Sequence, residues 1–227
     1  MKHSDMSNTI LVADDHPVFR YGLVQLIQQY IPEAMIAEAA NVNEVRVHLN
    51  KQTFDLVLLD LNFPGLQMPE GFQLLRKLAD LTAFVVISMT NDPSTVAQVM
   101  RSGADGFIGK SVDSKEMALS IQAALDGDIV KVGVSRFDRN NAGNANFHTN
   151  SIHPALTSMT ERQLQVLDGI RRGLSNKQIA QELFISHHTV RIHVSSVLRM
   201  LEVHSRASAA AIATSARDVR THQANTK

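Results

Sequence analysis

The chain of 227 residues is long enough for one large domain or two ordinary ones, and its hydrophobic fraction of 44% is globular. It contains no cysteine, which excludes disulfides and thiolate metal sites. Residues 1–135 hold 16 acidic and 10 basic side chains, whereas residues 157–227 hold 5 acidic and 10 basic. This split predicts two domains with different partners.

The N-terminus is polar, and the longest apolar runs are far too short to span a bilayer. We therefore expect a soluble cytoplasmic protein with no membrane association.

Apolar runs alternate with helical stripes through the first part of the chain. The runs are ILVA, MIAEAA, DLVLLD, AFVVIS and GFIG. A helical stripe follows each of them, the clearest from Pro17 to Tyr30. Strands that are apolar throughout need cover on both faces, as in a parallel sheet. The alternation predicts an α/β domain with a flavodoxin-like, doubly wound, five-stranded parallel sheet.

Periodicity is lost over residues 136–156, which are rich in Asn, Gly and Ser and read as an interdomain linker. From residue 157 onward the pattern is helical. Capping boxes pair Thr160 with Gln163 and Ser175 with Gln178, and Ser186 is a third helix start. An alanine-rich fourth helix begins at Arg206, so we expect an all-α, four-helix domain.

Polar residues end four of the five predicted strands. Asp14 and Asp15 follow the first strand, Asp60 ends the third, Ser88 the fourth, and Lys110 the fifth. The carboxyl ends of parallel strands share one edge of the sheet, where ligands bind. Three carboxylates can seat Mg²⁺, and an aspartate can accept a phosphoryl group that a lysine and a hydroxyl then hold. The DD dipeptide alone is equally well explained by Asp15 as a helix N-cap before Pro17.

Residues 9–126 resemble a response-regulator receiver domain through the motifs ADDHP, LVLLDLNFPG, VVISM and GADGFIGKS. The resemblance implies that Asp60 is the phosphoacceptor and that Lys110 and Ser88 assist it. It also implies a switch pair, in which the Ser88 hydroxyl moves to the phosphoryl group and the Phe107 ring turns inward behind it. The implied Mg²⁺ ligands are Asp14 through water, Asp15, Asp60 and the backbone carbonyl of Asn62.

One departure from the receiver pattern lies beside Asp60. After Pro64 and Gly65 the chain runs LQMPE before Gly71, a few residues longer than in relatives. This length puts the geometry of the loop beside the acceptor in question.

The predicted helix from Ser186 to Leu201 has an apolar stripe and an opposite polar face, and a short helix from Asn176 to Leu183 precedes it. This spacing is typical of a helix-turn-helix, whose second helix enters the major groove of DNA. A small bundle with a solvated face is the alternative that the pattern leaves open.

The segment from LTSMTERQL to SRASA resembles a LuxR-type domain, so the whole chain resembles a NarL/FixJ-type regulator. The implied boundaries are a tail at 1–8, a receiver at 9–130, a linker at 131–154, a DNA-binding domain at 155–218 and a tail at 219–227. The resemblance implies that Arg191, Ile192 and Ser195 approach bases. The other candidate DNA contacts are Lys177, His188, Thr189 and Arg199. The last helix matches the family's dimerisation helix.

These resemblances imply a two-component response regulator and not an enzyme, beyond phosphorylation and dephosphorylation of itself. Its implied partners are a sensor histidine kinase or phosphotransfer protein, double-stranded DNA and a second copy of the chain. One alternative is a DNA-binding regulator that works without phosphorylation and uses its receiver for protein contacts. A metal-dependent phosphohydrolase is disfavoured, because Asn62 stands where a second, acid–base carboxylate would be needed.

Overall fold

The computed structural model describes residues 8–79, 82–134 and 153–224. The chain divides into two compact units. The first comprises Met1–Leu125 and Val130–Ser135, and the second comprises Asp126–Ile129 and Arg136–Lys227. The short segment Asp126–Ile129 therefore belongs with the second unit, although the first unit surrounds it in sequence.

The first unit is built on one parallel sheet with the strand order β2-β1-β3-β4-β5-β6. Its strands are β1 Thr9–Ala13, β2 Met35–Ala39, β3 Leu56–Asp60, β4 Ala83–Ser88, β5 Gly106–Gly109 and β6 Val130–Val132. Its helices are α1 Pro17–Tyr30, α2 Val42–Lys51, α3 Glu70–Leu78, α4 Pro93–Arg101 and α5 Ser114–Leu125. The predicted flavodoxin-like, doubly wound architecture is confirmed.

The prediction of five strands was wrong, because β6 adds a sixth beside β5. Its three residues are too few to give a periodic signal of their own. The predicted linker, 131–154, overlaps this strand at its first two residues. Residues 135–152 of that linker and residues 1–7 of the predicted N-terminal tail lie outside the described residues.

Successive strand residues point to opposite faces of the sheet, so each face has its own apolar core. On one face, Leu11 and Leu59 pack in a cluster with side chains of α2, α3 and α4. On the other face, Val12 and Leu58 pack in a cluster with side chains of α1 and α5. Both faces are therefore covered, which explains why the strands are apolar at nearly every position.

The second unit is helical, with α6 Ala155–Ser158, α7 Glu161–Arg171, α8 Asn176–Leu183, α9 His187–Met200 and α10 Arg206–Ala224. Both predicted capping boxes are present, at Thr160 with Gln163 and at Ser175 with Gln178. Ser186 caps α9 by accepting a hydrogen bond from the backbone N–H of Thr189 at 3.0 Å. The four predicted helices are confirmed, and the short α6 precedes them.

Helix α10 is longer than the sequence pattern indicates. It continues to Ala224, so the predicted C-terminal tail from residue 219 is helical over its first part. Of that tail, residues 225–227 lie outside the part of the chain that the structure describes.

Two helical glycines provide a test of the packing. A Cβ on Gly169 in α7 would lie 2.7 Å from Cγ1 of the buried Ile179, whereas a Cβ on Gly22 in α1 would meet nothing within 4 Å. We expect Gly169→Ala to lower the free energy of unfolding by about 1–3 kcal/mol, because it overpacks the junction with α8. Gly22→Ala should instead raise it by up to about 1 kcal/mol. Urea unfolding followed by circular dichroism measures both, and equal changes of the same sign would contradict this packing.

Candidate functional site

The register of the sheet brings the acidic residues together. Ala13 pairs with Leu59, so Asp14 and Asp60, the next residue of each chain segment, meet at the carboxyl edge. Both are almost completely buried, with exposed fractions of 2% and 3%. One ligand atom from each of Asp14, Asp15, His16 and Asp60 lies within 4.8 Å of the others. The predicted convergence of the carboxylates is therefore present.

Lys110 extends from the end of β5 into this acidic edge. Its Nζ lies 2.7 Å from Oδ2 of Asp14 and 3.2 Å from Oδ1 of Asp60. The side chain is only 7% exposed, and Nζ also lies 4.4 Å from the centre of the Phe19 ring. A buried ammonium thus offsets part of the repulsion between two buried carboxylates.

The environment of Asp60 changes the pKa of its carboxyl group. Burial raises the pKa of the Asp60 carboxyl above its ordinary value, and the charges of Asp14 and Asp15 raise it further, while Lys110 opposes them. Since one lysine faces three carboxylates, a cation would favour the ionised form of the site.

Asp15 supplies a second indication of a cation site. Its Oδ1 is buried and accepts no hydrogen bond from the residues that the structure describes, although Nδ1 of His16 lies 2.9 Å away. The alternative reading of Asp15 as the cap of α1 was wrong, because His16 occupies the N-cap position. An unsatisfied carboxylate oxygen beside two buried carboxylates fits the hard oxygen ligands of a divalent ion.

Arg20, which was not among the predicted site residues, fixes the turn between β1 and α1. Its Nη1 donates to the backbone carbonyl of Asp14 at 2.6 Å, and its Nε donates to Oε2 of Glu38 at 3.0 Å. The N–H of Asp14 donates to Ala39 O at 3.2 Å, so both backbone polar groups of Asp14 are engaged. The only sequence feature that could have indicated this contact is the position of the arginine, one turn into the helix that follows Asp14 and Asp15.

Ser88 and Phe107, the predicted switch pair, are both fully buried. The Oγ of Ser88 accepts a hydrogen bond from the N–H of Thr90 at 3.0 Å, and its carbonyl accepts one from the N–H of Lys110 at 2.8 Å. Ser88 is therefore held at the same edge as the carboxylates, one strand beyond Asp60.

The long loop after Asp60 is partly folded into the core. Asn62 is exposed in the turn that follows β3, and Phe63 is buried. Leu66 and Met68 pack against the cluster beneath α2 and α3. The extra length is thus anchored by apolar contacts, and the role of the Asn62 carbonyl stays a prediction.

The predicted DNA-contacting residues of the second unit differ in accessibility. Lys177 and Arg199 are exposed, and His188, Thr189 and Ile192 are half-buried. Arg191 and Ser195, in contrast, are buried, with exposed fractions of 3% and 8%. Two of the three residues predicted to approach bases are therefore inaccessible in this structure.

The segment Asp126–Ile129 lies against helix α9. The Oγ of Ser195 donates to Gly127 O at 3.5 Å, and a Cβ on Gly127 would lie 2.9 Å from Cγ1 of Val194 and 3.5 Å from Cγ of Arg191. Glycine is needed here both for this close approach and for its φ of +91°.

Arg206, at the start of α10, holds the same segment. Its backbone N–H donates to Oδ1 of Asp128 at 2.8 Å, and its guanidinium donates to Asp126 O at 3.3 Å. The guanidinium also donates to Oδ1 of Asn176 at 2.7 Å and to Leu174 O at 2.6 Å. These contacts depend on tertiary structure, so no local sequence pattern could have indicated them.

Comparison with known proteins assigns both units. Residues 10–122 match the family model described as response regulator receiver domain, and residues 157–213 match that of bacterial regulatory proteins, luxR family. The chain is 38% identical over 208 residues to the glycerol metabolism activator of Pseudomonas putida, covering 88% of this chain and 92% of that one. It is 32% identical over 200 residues to the nitrate/nitrite response regulator protein NarP of Escherichia coli K12, covering 88% and 91%.

The chain is a two-component response regulator of the NarL/FixJ type. Its receiver and LuxR-type domains make it a regulator of transcription. The solved structure of a LuxR-family two-component response regulator from Aurantimonas sp. SI85-9A1 superimposes with a TM-score of 0.51 at 28% identity. The match covers 55% of this chain and 89% of that one.

The same two domains support a kinase and DNA as partners of the response regulator. Among its described helices, none combines the length and apolar character needed to cross a membrane.

Arg20 offers a test of the acidic site of this response regulator. We expect Arg20→Gln to weaken Mg²⁺ binding about tenfold, because loss of an outer-shell contact misplaces a ligating residue. Arg46→Gln, an exposed arginine on α2, is the matched control and should bind as the wild type does. Isothermal titration with magnesium chloride measures both, and equal affinities of Arg20→Gln and wild type would refute a positioning role.

Proposed function

We propose that phosphorylation of Asp60 by a sensor histidine kinase controls dimerisation and sequence-specific DNA binding by this response regulator. The observation that carries the proposal is the buried set of Asp14, Asp60 and Lys110, with Lys110 Nζ within 3.2 Å of both carboxylates. A phosphotransfer protein or a small phosphodonor is an equivalent source of the phosphoryl group.

The chemistry proposed for Asp60 is a single displacement at phosphorus. A carboxylate oxygen of Asp60 forms the new bond to phosphorus, and the bond to the donor atom breaks, with its electron pair leaving on the donor. Hydrolysis of the resulting acyl phosphate by water returns Asp60 to its free form. Beyond this formation and loss of an acyl phosphate, we assign the chain no enzymatic reaction.

Lys110 assists by position and charge. Phosphoryl transfer depends mainly on alignment and on stabilisation of charge at the phosphoryl oxygens. The ammonium already lies 3.2 Å from Asp60 Oδ1, so it can contact an oxygen of the phosphoryl group once the carboxylate is consumed. Because Asp14 holds the same ammonium at 2.7 Å, the lysine stays in place through the step.

Mg²⁺ is the cofactor that fits the site best. Asp15, Asp60 and the Asn62 carbonyl would hold it directly, and Asp14 would do so through water, as the family resemblance implies. Bound there, the ion would neutralise carboxylate charge and orient phosphoryl oxygens. The unsatisfied Oδ1 of Asp15 supports this assignment.

We propose that Ser88 and Phe107 respond to phosphorylation of Asp60 by changing conformation. The hydroxyl of Ser88 would leave the N–H of Thr90, which it accepts from at 3.0 Å, and donate to the phosphoryl group. Such a local charge event can bias a two-state element. Phe107 is fully buried in this structure, so its ring already lies in the core before phosphorylation.

The DNA-bound state requires a different environment for α9. Arg191 and Ser195 are buried, and Gly127 lies against both side chains. We assign this arrangement to the inactive state, in which Arg206 holds the covering segment, Asp126–Ile129, against α9. Phosphorylation would shift the population towards a state with α9 accessible.

The active form is proposed to be a homodimer that reads two half-sites. Helix α10 matches the family's dimerisation helix, and its small exposed residues Ala207, Ala211 and Thr214 lie on one face. Base contacts are assigned to Arg191, Ile192 and Ser195. The phosphate contacts, which set register but carry no sequence information, are assigned to Lys177, Thr189 and Arg199, with His188 beside them.

Phosphorylation at Asp60 can be tested by mass. Incubation with Mg²⁺ and acetyl phosphate should add one phosphoryl group to the wild-type chain, and the adduct should be acid-stable and base-labile. Asp60→Asn should add none, because the nucleophilic carboxylate is gone. Asp55→Asn, at the opposite end of β3, should accept the group as the wild type does. An undiminished adduct on Asp60→Asn would sink the proposal.

Specific DNA recognition can be tested at Arg191. Arg191→Ala in the phosphorylated protein should weaken binding to a duplex selected from a random library by about 1–3 kcal/mol, if the side chain reads a base. Binding to unselected duplex should change little. Lys177→Ala should instead weaken both equally, because a phosphate contact carries no sequence information. Fluorescence anisotropy measures the affinities of the wild type and both variants for each duplex, and an equal loss on both duplexes for Arg191→Ala would place it on the phosphates.

A further inference from the structure

The ends of β4, β5 and β6 lie side by side at the carboxyl edge of the sheet. Ser88 pairs with Gly109, and Ile108 pairs with Val132, so the residue after β6, Gly133, lies beside Gly109. A Cβ on Gly109 would lie only 2.8 Å from Gly133 O. The absence of a side chain at Gly109 therefore permits the close approach of these segments.

Asn91, in the loop that follows Ser88, connects this loop to the end of β6. Its Nδ2 donates to Gly133 O at 2.8 Å, across 42 residues of sequence. The residue before it, Thr90, donates its backbone N–H to the Ser88 hydroxyl at 3.0 Å. Val134, directly after Gly133, packs against the cluster that contains Phe107. The end of β6 is thus connected to both members of the switch pair.

The other end of β6 continues directly into the segment that covers α9. Val130 follows Ile129, whose N–H donates to His204 O at 3.1 Å. The same segment places Gly127 against Ser195 and Asp128 at the start of α10. Only the three residues of β6, about 10 Å of extended chain, separate these contacts from Gly133.

We propose that Asn91 couples the loop after Ser88 to β6, and through β6 to the Asp126–Ile129 segment that covers α9. The proposal rests on the proposed function, because it assigns a route from the phosphoryl group on Asp60 to the DNA-binding helix. When the Ser88 hydroxyl turns to the phosphoryl group, the Thr90 N–H loses its acceptor. The adjoining Asn91 then shifts, its bond to Gly133 breaks, and β6 and the covering segment are released.

Short strands at the edge of a sheet suit this role. Among the described strands β6 pairs only with β5, and its three residues give few ladder hydrogen bonds. One side-chain hydrogen bond is therefore a substantial part of what fixes its end. Coupling free energies between sites commonly correspond to 5- to 150-fold changes of affinity, which a loss of a few such contacts can supply.

The test uses the full-length chain and a variant, Asn91→Ala, that removes the donor to Gly133. The control is Ser94→Ala, which removes an exposed hydroxyl from the start of α4 and leaves the Gly133 contact intact. For each protein, intact mass gives the extent of phosphorylation by acetyl phosphate. Anisotropy gives the dissociation constant for the selected duplex before and after phosphorylation.

We expect the wild type and Ser94→Ala to tighten about tenfold or more on phosphorylation, and Asn91→Ala to change less than about twofold at equal phosphorylation. Hydrogen exchange at residues 131–134 should rise on phosphorylation in the wild type and be high throughout in Asn91→Ala. A wild-type response in phosphorylated Asn91→Ala overturns the coupling, as does loss of its phosphorylation, which would assign Asn91 to the chemistry. A wild type that is phosphorylated without any change in affinity overturns the proposed function itself.

Discussion

The interaction on which the first unit depends is the contact of one buried ammonium with two buried carboxylates. Lys110 lies 2.7 Å from Asp14 and 3.2 Å from Asp60, and both acids are almost completely buried. Removing the lysine from such a set is costly, because it leaves two uncompensated carboxylates in the interior. The set is nevertheless incomplete, since Oδ1 of a third acid, Asp15, receives no hydrogen bond within the described residues and lies 2.9 Å from Nδ1 of His16. Burial and the charges of Asp14 and Asp15 raise the pKa of Asp60, and in the proposed function the residual negative charge forms a position for a divalent cation.

The parallel sheet lets these charged residues meet at one edge without placing charges in the apolar cores. The acidic residues and Lys110 lie at the carboxyl edge of the sheet, whereas the two apolar cores lie on its faces. Charged groups can thus gather at one edge while the strands behind them stay apolar. The same geometry places Ser88 one strand from Asp60, so in the proposed function a change of charge at the acid acts on the loop after β4. In our account the site and the switch are consequences of strand order.

Sequence reasoning succeeded where a local pattern determines the structure. The apolar runs end at Asp14, Asp60, Ser88 and Lys110, and this was sufficient to predict both the sheet and the edge at which these residues meet. The capping boxes at Thr160 and Ser175 likewise fixed the starts of α7 and α8.

Sequence reasoning failed where the structure is determined by a contact between residues distant in sequence. β6 is too short to have a period, and its pairing with β5 becomes visible only in three dimensions. Asn91 and Arg206 each donate to a backbone carbonyl of a distant segment, and a carbonyl leaves no signature in the sequence. The burial of Arg191 and Ser195 was missed for the same reason, because the covering segment Asp126–Ile129 reads as an ordinary turn.

The most direct measurement of the central claim is the stability of the wild type and of Asp60→Asn as a function of Mg²⁺ concentration. Without Mg²⁺ the variant should unfold at a higher temperature, because it relieves repulsion while Lys110 keeps its contact with Asp14. Mg²⁺ should stabilise the wild type by about 1.4 kcal/mol for each tenfold excess over its dissociation constant, and the variant much less. Equal melting temperatures without Mg²⁺ and equal responses to it would contradict the account, because Asp60 would then neither repel its neighbours nor bind the ion.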